Sequence, residues 1–344
     1  MRVERFEFDA KRKVTFTAYL QDVKDEFHFE KRPGMLVIPG GAYQHISRRE
    51  QDSIAFAYLR AGYQAFLLSY GVNEACEWPS PLNDYEEAMA LIEEKEEEFG
   101  VDLSRIAIVG FSAGGHLAAC AATMAKHKPA AAVLVYPVIL EDVASVCTDH
   151  LPNPCDYVDE HTCPCFLVAS RDDKMVNVRN TLQFELALER HQVPFESHIY
   201  SYGHHGFASA EKWINEYPCS ERLRNWMDES VGWLNEVLGE LTYYGFTERE
   251  EEIFKTEDSK PYYSANCSVS YLFEKEELNE VLSPVREAIL NGAKAANKNL
   301  GLLVSAFRNN TLFEVMKMMR IEEETAKSID AALRAIPKKN LTKR

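Results

Sequence analysis

Gly110-Phe111-Ser112-Ala113-Gly114 is the segment of this 344-residue chain with the clearest chemical meaning. The apolar run Ile106 to Val109 precedes it, and the helix-forming run His116 to His127 follows it. Glycines on both sides of a serine permit a sharp strand-to-helix turn that lifts the hydroxyl out at a sheet edge. The following helix aims free N–H groups and the positive end of its dipole at the same place, where negative charge would develop. A serine hydroxyl needs a base to become a nucleophile. On this frame the acid and then the histidine come later in the chain. Ser170-Arg171-Asp172-Asp173 offers two carboxylates, and Gly203-His204-His205-Gly206 offers two imidazoles. A triad takes one of each. The other aspartate has a ready alternative task at the start of a helix.

A tetrahedral intermediate also needs N–H donors at its oxyanion. Pro39-Gly40-Gly41-Ala42-Tyr43 follows the apolar run Met35 to Ile38, and its glycines let the backbone turn such donors inward. The candidates are the N–H groups of Gly41 or Ala42, together with that of Ala113. Tyr43, Ser47 and Glu50 follow this turn and either contact substrate or brace it. Trp78, in Cys76-Glu-Trp-Pro-Ser-Pro, either stacks on a substrate or packs; Tyr43 and Trp78 are the candidate substrate-binding residues. Trp213, Trp226 and Trp233 lie at helical spacings and read as core. Cys147, His150, Cys155, His161, Cys163 and Cys165 crowd together without the paired knuckles of a zinc site, so they read as buried or loop thiols. No metal or cofactor is expected.

These residues need a frame that brings strand ends together. Up to Phe207 the chain alternates apolar runs with helical periodicities, the mark of an α/β architecture with a mostly parallel central sheet flanked by helices. Two alternating segments at the start, Val3 to Asp9 and Lys13 to Leu20, read as an antiparallel edge. Residues 209–239 read as helix interrupted at Tyr217-Pro218. Beyond about residue 268 only helical segments appear. The expected division is a catalytic domain over 1–245, a linker over 246–264 containing a Thr247-x-x-Glu250 capping pattern, and a small all-helical C-terminal extension over 265–344. That extension's apolar residues (Leu300, Leu302, Leu303, Phe307, Leu312, Phe313, Val315, Met316 and Met319) call for burial, by docking on the catalytic domain or in a homodimer.

Charge narrows the partners. Basic and acidic residues balance from Thr247 onward, so the net charge of −16 is carried by the residues before it. Phosphate backbones need basic neutralisation, which excludes nucleic acid as a partner and disfavours an anionic membrane surface. No apolar run approaches the roughly 18 residues of a membrane span. The N-terminal Met-Arg-Val-Glu-Arg-Phe lacks the apolar segment of a signal peptide, so a cytoplasmic chain with reduced thiols is expected.

Taken together, residues 15–240 resemble an α/β-hydrolase of the acetyl-esterase/acetylxylan-esterase type. The resemblance lies in PGGAYQHISRRE, AGYQAFLLSY, RIAIVGFSAGGHLAA, DDKMVNVRNT and VPFESHIYSYGHHGF, in that order. It implies Ser112 as nucleophile. The family's acid loop, Asp-x-x-Val-Pro-Val-x-Asn-Ser, fits Asp173 to Thr181, which implies Asp173 as the acid with Asp172 as the second choice. Asn177 departs from the family's proline. The histidine loop, Gly-x-His-Gly, implies His205 as base and His204 as a neighbour. Pro39 stands where the wider class often has histidine, whereas the sugar-esterase branch often has proline there. The implied function is a serine carboxylester hydrolase that deacetylates a sugar or oligosaccharide. A peptidase, an amidase, an esterase for another small acyl group and a non-enzymatic interaction protein are the alternatives.

Overall fold

The computed structural model describes residues 1–23, 27–148, 150–254, 256–295 and 306–338. The chain divides into two units, Met1–Glu250 and Glu251–Arg344.

The first unit is organised by eight strands: β1 (Arg2–Asp9), β2 (Val14–Leu20), β3 (Arg32–Ile38), β4 (Gln64–Ser69), β5 (Val101–Phe111), β6 (Ala131–Val135), β7 (Cys165–Ser170) and β8 (Phe195–Tyr200). Their spatial order is β1-β2-β4-β3-β5-β6-β7-β8. β2 runs antiparallel to both neighbours, and β3 to β8 are parallel. Strands covered on both faces have no solvated side to show, so β3, β6 and β7 are buried along their whole length, and apolar residues fill β6, β7 up to Ala169 and β3 from Met35. At the edge, β1 sends Phe6 and Phe8 toward the core and leaves charged residues outside, which discourages pairing with another chain.

Seven helices of this unit are α1 (Asp52–Arg60), α2 (Ser80–Glu94), α3 (Glu96–Phe99), α4 (Ala113–Met124), α5 (Glu141–Cys147), α6 (Arg179–Arg190) and α7 (Trp226–Leu238). α2 buries Tyr85, Ala88, Met89 and Ile92, one stripe at helical spacing. α4 is buried almost all round, and its alanines make that possible. The connection from β3 leads to β4 on one side, and that from β5 leads to β6 on the other. β3 and β5 are neighbours, so their C-terminal ends flank the switch point, where open α/β sheets bind ligands. The Pro39 turn leaves β3 there, and Ser112 leaves β5.

Three expectations change in this unit. The helix expected from 209 begins only at Glu221, as a 3₁₀ helix over Glu221–Asn225 that becomes α at Trp226; residues 209–220 hold turns, bends and irregular backbone. Pro218 has no N–H to give a helix and disfavours helical dihedrals at Tyr217. The Phe207 carbonyl instead collects Ala210 N–H and the Asn215 side chain. Trp213, on these turns, is 78% exposed, whereas Trp226 and Trp233 are core. Finally, Thr247 caps no helix. It exchanges hydrogen bonds with the Glu240 backbone, closing a hairpin of β9 (Leu241–Thr242) and β10 (Gly245–Phe246) that the sequence pattern did not suggest.

The second unit holds α8 (Val269–Phe273), α9 (Asn279–Ala295), α10 (Leu312–Met318) and α11 (Glu323–Ala335) around a core that includes Leu272, Leu282, Val285, Leu312, Val315, Ile329 and Leu333. A capping box joins Thr311 and Glu314 at the start of α10. The segment expected as linker is partly built into this core. Tyr263, Ser264 and Ala265 are buried, and Asp258 accepts both the N–H and the hydroxyl of Ser268. Lys260-Pro261 broke the helical pattern without breaking the packing. Of the apolar residues expected to need cover, Leu312, Val315 and Met316 find it inside this unit, Phe307 and Met319 pack against it, and Phe313 is 43% exposed. Leu300, Leu302 and Leu303 lie outside the described residues. Among the described residues no helix is long and apolar enough to cross a membrane.

Candidate active site

Ser112 follows β5 directly and begins α4 with φ +52° and ψ −116°. The chain holds this unfavourable backbone in place: Ser112 N–H donates to Val135 O, and its carbonyl accepts from His116 and Val138. Gly114 is needed because a Cβ there would lie 2.2 Å from Ile38 O. The first turn of α4 is thereby pressed against the end of β3.

Ser112 Oγ lies 2.8 Å from His205 Nε2, and His205 Nδ1 lies 2.7 Å from Asp173 Oδ2. A carboxylate can only accept, so Nδ1 carries the proton and Nε2 is free to take the serine's. The other oxygen of Asp173 accepts N–H from Met175 and Val176 at 2.8 and 2.9 Å, which orients the carboxylate. Asp173 is 6% exposed and Ser112 8%. The arrangement is the one a serine needs to attack a carbonyl with a histidine as base.

The residues beside this relay are engaged elsewhere. Asp172 accepts the Ser170 hydroxyl and the Gly203 N–H, tying the end of β7 to the loop that carries His205. The Ser170 hydrogen bond leads the effects that hold its carboxyl below the usual range. His204 donates from Nδ1 to His205 O, so its Nε2 accepts the Cys219 thiol.

The Pro39 turn lies against the serine: a Cβ on Gly40 would sit 2.9 Å from Ser112 Cβ. Gly41, Ala42 and Tyr43 follow with φ +128°, +55° and +56°. The N–H groups of Gly41 and Ala42 have no protein acceptor among the described residues. Ala113 N–H belongs to the first turn of α4, where a helix has no internal partner. Three donors are thus available beside Ser112.

Tyr43 is corrected from substrate contact to anchor, because it is fully buried. His116 Nε2 donates to Pro152 O, so Nδ1 accepts the Tyr43 hydroxyl at 2.9 Å. Burial pushes the His116 pKa down to about 4, keeping it neutral and able to accept. This bond links the Pro39 turn to the serine's helix. Trp78 packs edge-on against His116, centroids 5.9 Å apart, and against the core.

Glu50, one of the residues expected to contact or brace, is a brace. It is 3% exposed; Oε2 accepts Gly40 N–H at 2.8 Å and Oε1 accepts the Tyr136 hydroxyl at 2.7 Å. The Tyr136 oxygen in turn accepts Ala208 N–H, and its ring stands 4.9 Å from that of His205. Glu50 and Tyr136 therefore join the Pro39 turn to the loop that carries His205. Sequence reasoning missed Tyr136; its only signal was its position at the end of β6.

The BD-FAE family model matches residues 19–147. Endo-1,4-beta-xylanase B of Butyrivibrio fibrisolvens is 30% identical over 213 residues, covering 52% of this chain and 33% of that protein. Acetylxylan esterase of Xylanibacter ruminicola is 25% identical over 212 residues, covering 55% and 44%. The chain spans less than half the length of these two curated relatives. Among solved structures, MGS-M1, an alpha/beta hydrolase enzyme from a Medee basin deep-sea metagenome library, matches with a TM-score of 0.64 at 34% identity. That match covers 69% of this chain and 98% of the other.

Proposed function

The chain belongs to the α/β-hydrolase family, and from that premise we propose that it is a serine carboxylester hydrolase that removes acetyl groups from a sugar or oligosaccharide. The observation that carries this reading is the relay from Ser112 through His205 to Asp173, with bonds of 2.8 and 2.7 Å, facing the Pro39 turn. Ser112 attacks the ester carbonyl while His205 Nε2 takes its proton. Gly41, Ala42 and Ala113 donate to the oxyanion. His205 then gives the proton to the departing sugar oxygen, leaving an acetyl-serine. A water, deprotonated by His205, releases acetate. Asp173 holds the imidazole tautomer and stabilises the imidazolium throughout. Similarity to an acetylxylan esterase supports the choice of acyl group and leaving group. A cytoplasmic setting fits the eight free cysteines.

The test is turnover of p-nitrophenyl esters beside an aminoacyl p-nitroanilide, followed by a screen of acetylated mono- and oligosaccharides. Ester cleavage falling steeply from acetate to octanoate is expected, since each methylene that does not fit costs about 1–3 kcal/mol. Preference for octanoate, or cleavage of the anilide alone, would overturn the reading.

A further inference from the structure

A cleft of about 750 Å³ beside the base loop takes no part in the relay described above. Tyr202, three residues before His205, forms one part of it, and the turns between Ala210 and Arg224 form the rest. Cys219, on its wall, gives its thiol to His204 Nε2 at 3.3 Å, so cleft and base loop share a wall. His205 must hand its proton to the leaving oxygen. The alcohol half of an ester therefore lies on the His205 side of Ser112.

The lining has a definite chemistry. Lys212, Arg222 and Arg224 face the cleft, and none of them forms an ion pair among the described residues. Glu216 and Glu221 also line it, which leaves the cleft net positive in a chain of net charge −16. Tyr202 and Tyr217 present rings that are 50% and 62% exposed. Such faces suit the apolar side of a sugar ring. Asn215 donates from Nδ2 to Phe207 O and Glu211 O, which fixes the direction of its amide. Its Oδ1 is buried and has no hydrogen-bond partner among the described residues.

We infer that this cleft binds the alcohol half of the ester, and that this half is a carbohydrate bearing an anionic group, a carboxylate or a phosphate. The tyrosines take the ring, and the two arginines take the anion through paired N–H donors. The inference rests on the ester-hydrolase reading and specifies its substrate.

The full chain is assayed on four acetyl esters: a neutral xylo-oligosaccharide, an oligogalacturonide, a hexose phosphate and p-nitrophenyl acetate. One of the two anionic sugars is expected to exceed the neutral one in kcat/KM by about tenfold, the scale of a charge-assisted hydrogen bond. Which one gains separates carboxylate from phosphate. The double variant Arg222→Gln/Arg224→Gln should lose this preference through KM, its kcat/KM on the anionic sugar falling to that on the neutral one. The preference should also shrink as salt is raised, because exposed charges are screened over about 10 Å at 0.1 M. Equal turnover of charged and neutral sugars by the parent chain, or an undiminished preference in the double variant, overturns the inference and leaves the esterase reading standing. Absence of turnover on all four, p-nitrophenyl acetate included, overturns the esterase reading itself.

Discussion

Each of the two units buries carboxylates, but they hold different things. In the first, Asp173 and Glu50 accept hydrogen bonds from loops at the C-terminal ends of β3, β6, β7 and β8. Their partners are the groups that would move protons and bind an oxyanion. In the second, Asp258 is 4% exposed and accepts both donors of Ser268, while Asp330 accepts Ala265 N–H. Ser268 caps α8, and Ala265 is core. The bonding is alike in the two units, since a buried carboxylate must have donors wherever it lies. What marks the functional one is the segment its donors belong to: a strand-end loop beside a serine and a histidine, or the start of a helix in a closed core.

The largest effects test the first unit alone. Ser112→Ala should lower ester turnover by about 10⁶, the scale of a triad nucleophile, with the melting temperature unchanged. Near-parental turnover by pure protein would remove the nucleophile assignment. Asp173→Asn should cost about 10⁴ in kcat, because it upsets the tautomer of His205. Asp172→Asn should cost less than about tenfold, since Asp172 only braces the loop, and Asp258→Asn should cost nothing in rate. Kinetics that ranked Asp172 above Asp173 would move the acid by one residue and leave the fold untouched.

Much of this was legible in the residues. The serine turn, the strand order of the reactive loops and the Pro39 turn each follow from local rules: glycine tolerance, apolar runs, and strands that alternate with helices. Asp172 and Asp173 differ only in which way a loop turns them, so the residues themselves left that choice open and the family's loop pattern pointed to Asp173. Tyr43 shows the opposite limit. It stands where a substrate contact would, but its burial depends on His116, which lies more than 70 residues away in the chain. Turn-rich segments misled the reading most. Residues 209–220 carry helical spacing without a helix, because side chains such as Asn215 hold the backbone in turns. The segment around Asp258 and Ser264 reads as charged linker because one buried aspartate satisfied by serine leaves no periodic trace.

Acidification should affect the stabilities of the two units differently. His116 is fully buried with its pKa lowered from 6.5 to about 4, so the unfolded chain binds the proton more tightly. Its contribution is fully present above pH 6.5 and is lost as pH falls toward 4, by about 3 kcal/mol at most. Protonation would also remove the acceptor of the Tyr43 hydroxyl. Asp258 has the opposite sign, since burial raises its pKa above 3.8. The folded chain then binds that proton more tightly. Asp258's contribution is present below pH 3.8 and is lost as pH rises through its folded value. Calorimetry at pH 7 and pH 4.5 should show the transition of the first unit moving down more than that of the second. The difference should narrow in His116→Phe; an identical gap in that variant would remove His116 as its cause.

The smallest effect compares two amide swaps of like chemistry. Glu50 uses one oxygen for Gly40 N–H and the other for the Tyr136 hydroxyl. In Glu50→Gln one of those oxygens becomes an NH₂ group. If it faces Gly40, two donors meet. If it faces Tyr136, the hydroxyl loses its acceptor while still receiving Ala208 N–H. In the first case the link between the oxyanion turn and the base loop fails; in the second it survives only reversed, with the amide donating and the phenol proton left without its acceptor. Removing an oxyanion donor outright costs about 10²–10³, so misplacing the turn that carries the donors should cost less, about tenfold in kcat with KM little changed. Asp258→Asn makes the same exchange against Ser268, and its only readout should be a lower melting temperature of the second unit, because no reacting group depends on that cap. If both variants lose stability and neither loses kcat, Glu50 is a structural carboxylate like Asp258. If Glu50→Gln lowers kcat while Asp258→Asn leaves it alone, the two buried carboxylates are separated by the loops they hold.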